Sequence, residues 1–480
     1  MERCEKEIFN LVENLKYIDD CEKIAQTLDS FIDSRIKLRS LWKLKDLFEK
    51  LTDAEYEKYP SLKIAGLFLE ICRGRLDIAG EYIKRLSNDN KNQIYADIML
   101  PSSDLDCFLA AANEIRNGNF DTIPYLTPTV YRPYVLNGFR DFTPYAAKIE
   151  KNKEKTKEII TTLWGSNMEL LYEIALAESL YQQNKLYEAL VIAVSVIPQL
   201  TEEKHVGILF AALYLQIVIL VMNGQLKYTG AMMKEMKAQI VDKGHSEYMP
   251  NLCALDAWAA MYDGEYERVT EWMYDGAPDE YNDFNMLDTF SYMIKMRVYI
   301  IEGNSIAVLM LAGKLLPKLI AAHRYMDTCE VYMLLALSDY TREDKKSAFE
   351  NIEEALELAE KYRYDRLIAD EGMLMYRLLS EYKETISKSA YLEKVTELCK
   401  ETAMKYPSYL TDRISELHPL TCRELEVLRL MSNNLSNASI AELMNITLDT
   451  VKFHGKNIFR KLQVKNRAQA VEKAKRMGVL

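Results

Sequence analysis

Apolar residues recur every three or four positions along most of this chain, in runs broken by short polar turns. That is the period of helices and not of strands. Leu62 to Leu86 is an early case: a helical run, a break at Arg73-Gly74-Arg75, then a second run with Ala79, Ile83 and Leu86 on one face. A helical hairpin is expected there. Between 121 and 145 the pattern fails, because Pro124, Pro128, Pro133, Gly138 and Pro144 stand in a Tyr/Phe-rich stretch that no helix can cross. An irregular linker or docking segment is expected instead. Gly207 to Met222 is almost continuously apolar, but its 16 residues, interrupted by Gln216, fall short of the ~20 that a bilayer span needs. It predicts a buried helix and no membrane anchor.

From about residue 165 the pattern repeats. Gln183-Asn184-Lys185, Asn223-Gly224-Gln225, Asp263-Gly264-Glu265, Glu302-Gly303-Asn304 and Glu343-Asp344-Lys345 interrupt it, with centres spaced by 40, 40, 39 and 41. An apolar helix precedes each tripeptide and another follows. A fixed period of this length predicts stacked helix-turn-helix units, each burying its stripe against the next. Ala177, Ala189, Ala193 and Val196, and again Ala336, Ala348, Ile352 and Ala355, place small residues where paired helices approach. This resembles tetratricopeptide repeats, although their usual unit of about 34 residues is shorter. Trp258, Trp272 and most of the 22 Met are expected to pack between units.

Residues 387–412 hold a last helix of this body, and Lys405-Tyr406-Pro407-Ser408 marks a boundary. Four short helices follow. Thr421 and Glu424 form a capping box for the first, which runs through Leu425, Leu428 and Met431 and can close at Asn433-Asn434. Ser436 caps the second, with Ile440, Leu443 and Met444 on its apolar face. Asn445 supplies a turn, and Thr447 caps the third, which carries Asp449 in its positive first turn. That third helix, Leu448 to Leu462, sorts its residues onto two faces. Val451, His454, Ile458 and Leu462 make one stripe; Lys452, Phe453, Lys456 and Arg460 fall opposite. Asn466 starts a final helix with Ala470, Val471 and Ala474. The second and third helices, joined by a short turn, make a helix-turn-helix.

Charge sharpens this division. The whole chain of 480 residues carries −11, which argues against nucleic acid. Residues 413–480, however, hold 12 Lys+Arg against 6 Asp+Glu, a net of +6, leaving 49 against 66, a net of −17, for residues 1–412. An acidic body with a small basic domain is the asymmetry of a regulator that touches DNA at one end. The 17 Gly and 12 Pro are few for this length and favour helices joined by short turns. Eight scattered Cys with no C-x-x-C pair read as reduced thiols of a cytoplasmic protein, and no metal site is expected. Met1-Glu2-Arg3-Cys4 and its neighbours lack the apolar region of a signal peptide. His205, His245, His323 and His418 are isolated, His454 lies on the core side of its helix, and no catalytic constellation stands out, so nothing supports an enzyme.

Leu420-Thr421 with Arg423-Glu424, Leu435-Ser436-Asn437, Ile440-Ala441, Thr450-Val451-Lys452 with His454, Asn457-Ile458, Lys461-Leu462 and Asn466-Arg467-Ala468-Gln469-Ala470 together resemble the DNA-binding domain of LuxR-type transcriptional regulators. The likeness runs without a gap, departing at Asn434, where the family usually has Gly, and at Ser439, where it usually has Glu. It implies that Lys452, Phe453 and Lys456 face base edges: Lys can address guanine O6/N7, and the Phe ring a thymine methyl. Arg460, Lys461, Lys465 and Arg467 are expected on phosphates, with Ser436, Asn437, Thr450 and Asn457 adding side-chain hydrogen bonds. Gly455, in mid-helix, either lets the backbone approach DNA or is a tolerated cost of ~1 kcal/mol. The resemblance also implies a homodimer on DNA, paired through 466–476 on a two-part site.

Residues 165–400 resemble, more loosely, the helical-repeat sensor of the large maltose-regulator type of LuxR-family activators, nearest at Ala355-Leu356-Glu357-Leu358-Ala359-Glu360 and Ala369-Asp370-Glu371-Gly372. Those proteins usually carry a nucleotide-binding module. Here there is no G-x-x-x-x-G-K-[ST], since Gly313-Lys314 is followed by Leu, and no cofactor is expected.

The sequence thus predicts an all-α protein in three parts. Residues 1–145 are an N-terminal helical region ending in the Pro/aromatic-rich linker, 146–400 a tetratricopeptide-like superhelix, and 413–480 a four-helix LuxR-type helix-turn-helix domain. The function expected is a cytoplasmic, bacterial-type transcriptional regulator that binds double-stranded DNA. Its body would sense a small molecule or protein partner, and RNA polymerase is a further candidate partner. The alternative is a helical-repeat interaction scaffold with residual DNA binding, which would have no reason to keep the cationic face of Leu448–Leu462.

Overall fold

The computed structural model describes residues 5–32, 38–75, 78, 131–138, 141–164, 168–202, 205–279, 284–385, 389–410, 420, 422–432, 435–444, 446–462 and 464–476. The second half of the hairpin expected over 62–86 falls outside these residues, apart from Ile78; its first half is the helix Pro60–Cys72.

Five helix pairs follow the repeat. They are Leu170–Gln182 with Leu186–Val196, Val206–Met222 with Thr229–Gln239, Met249–Asp263 with Tyr266–Asp275, Thr289–Ile301 with Ser305–Ala321, and Tyr325–Thr341 with Lys345–Tyr362. The turn within each pair passes through the left-handed region at Asn184, Gly224, Gly264, Gly303 and Glu343, with φ between 63° and 78°. A Cβ at Gly224, Gly264 or Gly303 would meet nothing within 4 Å, so those glycines serve the backbone angle and not a close approach. The fifth turn places Glu343 there, one residue before the expected centre, because Asp344 is the N-cap that accepts from Ser347 N at 3.2 Å.

The two helices of a pair are buried differently. The first of each pair is enclosed nearly all round; in Thr289–Ile301 every residue is buried. The second buries one stripe and shows the other to solvent, as in Lys345–Tyr362, which buries Ala348, Ile352, Ala355, Leu356 and Ala359. The small residues picked out by spacing, Ala177, Ala189, Ala193, Ala336, Ala348 and Ala355, are all fully buried at helix contacts. Three further helices, Asp365–Ala369, Gly372–Tyr382 and Ala390–Lys405, close the stack. The apolar run is the buried helix Val206–Met222, and no described helix is long and apolar enough to cross a membrane.

One apolar core runs from Ile8 to Leu410, shared by residues on both sides of the expected division at 145. Arg39 pairs with Asp288 at 2.6 Å and Lys318 Nζ donates to Arg73 O at 2.7 Å, tying the first helices to the fourth pair. The described part of the irregular stretch is not a spacer. Tyr131–Gly138 is buried throughout, inside the ring of first helices. A second, separate core spans Leu420 to Ala474.

Candidate nucleic-acid interface

Among the described residues four helices form the C-terminal domain: Cys422–Ser432, Asn437–Leu443, Leu448–Lys461 and Arg467–Arg476. Ser436 Oγ accepts from Ser439 N at 3.1 Å and caps the second. Thr447, extended at φ −74° and ψ 153°, accepts from Thr450 N at 3.1 Å and caps the third. Asn466 Oδ1 accepts from Gln469 N at 2.9 Å and caps the fourth. Thr421, Asn433, Asn434 and Asn445 lie outside the described residues.

The third helix is sorted as its sequence predicts. Val451, Ile458 and Leu462 are buried against Val427, Leu428, Met431 and Ile440, and His454 is half-buried beside them. Lys452, Phe453, Lys456 and Arg460 are exposed on the other side. Phe453 shows 62% of its surface to solvent, a large apolar ring among cations that the domain does not use for its own packing. Thr450 and Asn457 are half-buried at the edges of this face, Asn457 accepting from Arg460 Nη2 at 3.2 Å. Ser436 is exposed and Asn437 half-buried at the start of the second helix, and Lys465 is exposed after the third. These positions put a cationic face with an aromatic ring on one helix, and polar side chains at the mouth of the helix before it.

Two of the expected phosphate ligands also make contacts within the domain. Lys461 Nζ pairs at 2.8 Å with Glu424, whose side chain is buried, and Arg467 Nη2 donates to Met431 O at 2.5 Å, closing the end of the first helix. Both cations tie the third and fourth helices to the first. Glu424, read from sequence as half of a capping box, supplies the buried carboxylate for this tie. Leu443 also departs from expectation: it is 66% exposed, and Ala441 is buried in its stead. Gly455 is buried and points inward, where an added Cβ would lie 3.3 Å from Met431 Cε. It faces the first helix in the interior of the domain.

Sequence reasoning missed a second polar constellation, deep in the repeat body. Arg132 pairs with Glu330 at 2.8 Å and with Asp327 at 3.2 Å. Glu330 also holds Arg297 at 2.8 Å, Arg297 pairs with Glu371, and Tyr409 donates to Glu371 at 3.2 Å. All of these are buried. Flanking arginines lower the Glu330 carboxyl, while burial outweighs Arg297 and raises that of Glu371. The one signal available was the likeness at Ala369-Asp370-Glu371-Gly372, which marked the place without its partners. Among the described residues no cluster of His, Cys, Asp and Glu is arranged to hold a metal ion.

Comparison with known proteins matches these two regions. The family described as bacterial regulatory proteins, luxR family, matches residues 418–474, and the MalT-like TPR region matches residues 161–385. The HTH-type transcriptional regulator AlkS of Pseudomonas putida is 31% identical over 143 residues, 28% of this chain and 15% of AlkS. The response regulator protein VraR of Staphylococcus saprophyticus is 37% identical over 102 residues, 21% of this chain and 48% of VraR. VraR of Staphylococcus aureus is 34% identical over 116 residues, 24% of this chain and 54% of that protein. The chain therefore spans about one-seventh of AlkS and about half of VraR.

Proposed function

We propose that this chain, in which a LuxR-family domain at 418–474 follows a MalT-like repeat region at 161–385, is a sequence-specific DNA-binding transcriptional regulator. One observation carries the reading: Leu448–Lys461 packs one face as the second half of a helix-turn-helix and leaves Lys452, Phe453, Lys456 and Arg460 outward. Laid in a major groove, that face puts Lys452, Phe453 and Lys456 at base edges and Arg460 and Lys465 along phosphates. Ser436, Asn437, Thr450 and Asn457 add hydrogen bonds to the backbone of the duplex. The roles of AlkS and VraR as regulators support the same reading. Two copies meet through the last helix on a two-part site, and the repeat body receives the effector.

The test is binding of the full chain to genomic DNA fragments at several salt concentrations. A preferred sequence and an affinity that falls steeply with salt are expected. Binding that is flat with salt and blind to sequence overturns the reading.

A further inference from the structure

Ser305–Ala321, the second helix of the fourth pair, departs from its counterparts. A helix that buries one stripe normally turns a polar face outward. Thr229–Gln239 shows Lys234, Glu235 and Lys237 there, and Lys345–Tyr362 shows Glu350, Glu353, Glu354 and Glu357. Ser305–Ala321 instead shows Ile306, Leu309, Met310 and Ile320, each at least half exposed. Gly313 and Pro317 complete its outward face. The helix contains no acidic residue, and its two lysines stand aside. Lys314 is half-buried at the edge, and Lys318 Nζ reaches back to Arg73 O at 2.7 Å. Leu186–Val196 also shows Tyr187, Val191 and Val194, but over two turns only and beside Glu188. An apolar strip along the whole length of a surface helix marks an interface with another protein.

The order of residues along the strip identifies that protein. Counted from Gly313, its apolar positions are −7, −4, −3, +3, +4 and +7, which are Ile306, Leu309, Met310, Leu316, Pro317 and Ile320. At 3.6 residues per turn all of them lie within about 60° of the direction of Gly313. The same set of positions results when the helix is reversed about Gly313. An interface between two identical chains related by a two-fold axis requires such a patch, complementary to itself. In an antiparallel pair crossing at Gly313, Ile306 meets Ile320 of the second copy, and Leu309 and Met310 meet its Pro317 and Leu316.

The centre of the strip suits a crossing point. A Cβ at Gly313 would meet nothing within 4 Å, so the backbone there is bare on its outer side. Pro317 has no N–H for the Gly313 carbonyl four residues before it. Gly and Pro are the residues that weaken an exposed helix most, and here they stand where two helices would approach closest. Lys314 falls on opposite sides of the axis in the two copies, so the like charges stand apart. A strip about 25 Å long and about 10 Å wide is smaller than the roughly 800 Å² per partner of a standard interface, and fits a weak dimer.

We propose that a second copy of this chain packs on the outward face of Ser305–Ala321, antiparallel and centred on Gly313, so that the repeat bodies pair without DNA. The contact is separate from the pairing through Arg467–Arg476 and does not rest on it.

Sedimentation velocity of the full chain, free of DNA, from about 1 to about 100 µM tests the pairing. A monomer–dimer equilibrium is expected, weakened at least tenfold by Met310→Glu, which places its charge at an exposed position. Cysteine crosslinking tests the register and gives an answer even where Met310→Glu does not fold. Two copies of Gly313→Cys bring their new thiols together at the axis. Mild oxidation should join that variant into a covalent dimer and leave wild type and Glu354→Cys as monomers on a denaturing gel. A chain monomeric at every concentration overturns the proposal and leaves the face to a different protein. A dimer indifferent to Met310→Glu, or a Gly313→Cys chain that does not crosslink, also overturns it, because the pairing then runs through another surface.

Discussion

Tyr409 donates its hydroxyl to Glu371 at 3.2 Å while its ring stacks on Tyr262, 3.8 Å between centres and 9° between planes. The two contacts are separable. Tyr409→Phe keeps the stack and removes a hydrogen bond to a charged group, for an expected loss of about 1.5–3 kcal/mol in denaturant unfolding. Tyr409→Ala removes both, for about 3–5 kcal/mol. Equal losses would mean that the stack adds nothing to the hydroxyl's contribution, and an unchanged midpoint in Tyr409→Phe that the hydroxyl contributes nothing.

On the DNA-binding face, outward residues divide by role. Replacing Lys452 and Lys456 with Ala is expected to erase the preference for the best site, at about 1–3 kcal/mol for each base contact, with the repeat body still folded. Arg460→Ala should weaken all sequences alike and lower the salt slope by about one. Competition binding at two salt concentrations reads both effects, and unchanged preference in the double variant would remove those two lysines from the base-reading set.

Lys461 behaves differently from its neighbour Arg460, although both are cations on one turn. Lys461→Ala leaves the buried Glu424 without its cation, and a loss of about 1–3 kcal/mol is expected, moderated because the Lys side chain is 30% exposed. Thermal unfolding of the C-terminal domain should show it. A midpoint shift no larger than that of Arg460→Ala would mean the ion pair is not a structural tie.

Gly455 offers a gain. Ala in its place adds helix propensity worth about 1 kcal/mol, and the near atom among the described residues is the far end of a flexible side chain, Met431 Cε at 3.3 Å. Gly455→Ala is expected to raise the midpoint slightly. Gly455→Leu, too large for Met431 to yield to, should lower it by about 1–3 kcal/mol.

Glu178 sets a pH dependence of definite sign. Its carboxyl holds a proton up to about 8 in the folded chain, against 4.5 for an ordinary glutamate. Between those values the folded state binds more protons than the unfolded one, so this group's contribution to stability falls as pH rises from 4.5 to 8 and is level outside that window. Glu178→Gln should lose that slope. Midpoints of both chains from pH 4 to 9 decide it, because parallel curves would show that the carboxyl does not titrate in this range.

Much of this architecture could be read from spacing alone. The tripeptides at 184, 224, 264 and 303 carry their own signals, an Asn or Gly between helical runs, and the structure turns at those residues. The turns before and after the fifth pair were not legible, because His323 and Arg363 take the left-handed conformation at φ 50° and 61° with no residue type to announce it. The faces of Leu448–Lys461 followed from a period of 3.6, but the inward turn of Lys461 and Arg467 depended on where Glu424 and Met431 O lie in space. The same holds for Tyr131–Gly138. Proline and aromatic content said that it is irregular, and only contacts from 42 to 198 residues away made it interior.

Those distances in sequence have a kinetic consequence. Arg132 meets Glu330 across 198 residues and Asn137 meets Asp327 across 190, in a body whose other contacts run mostly between adjacent helices. Each pair can zip onto the one before it quickly, but the centre waits until the last pair has been synthesised. A chain released early, before Tyr325–Thr341 emerges, would hold Arg132 and Arg297 without the carboxylates of Asp327 and Glu330. Refolding should therefore show a fast gain of helix followed by a slower step in which the tyrosines of the interior become fixed.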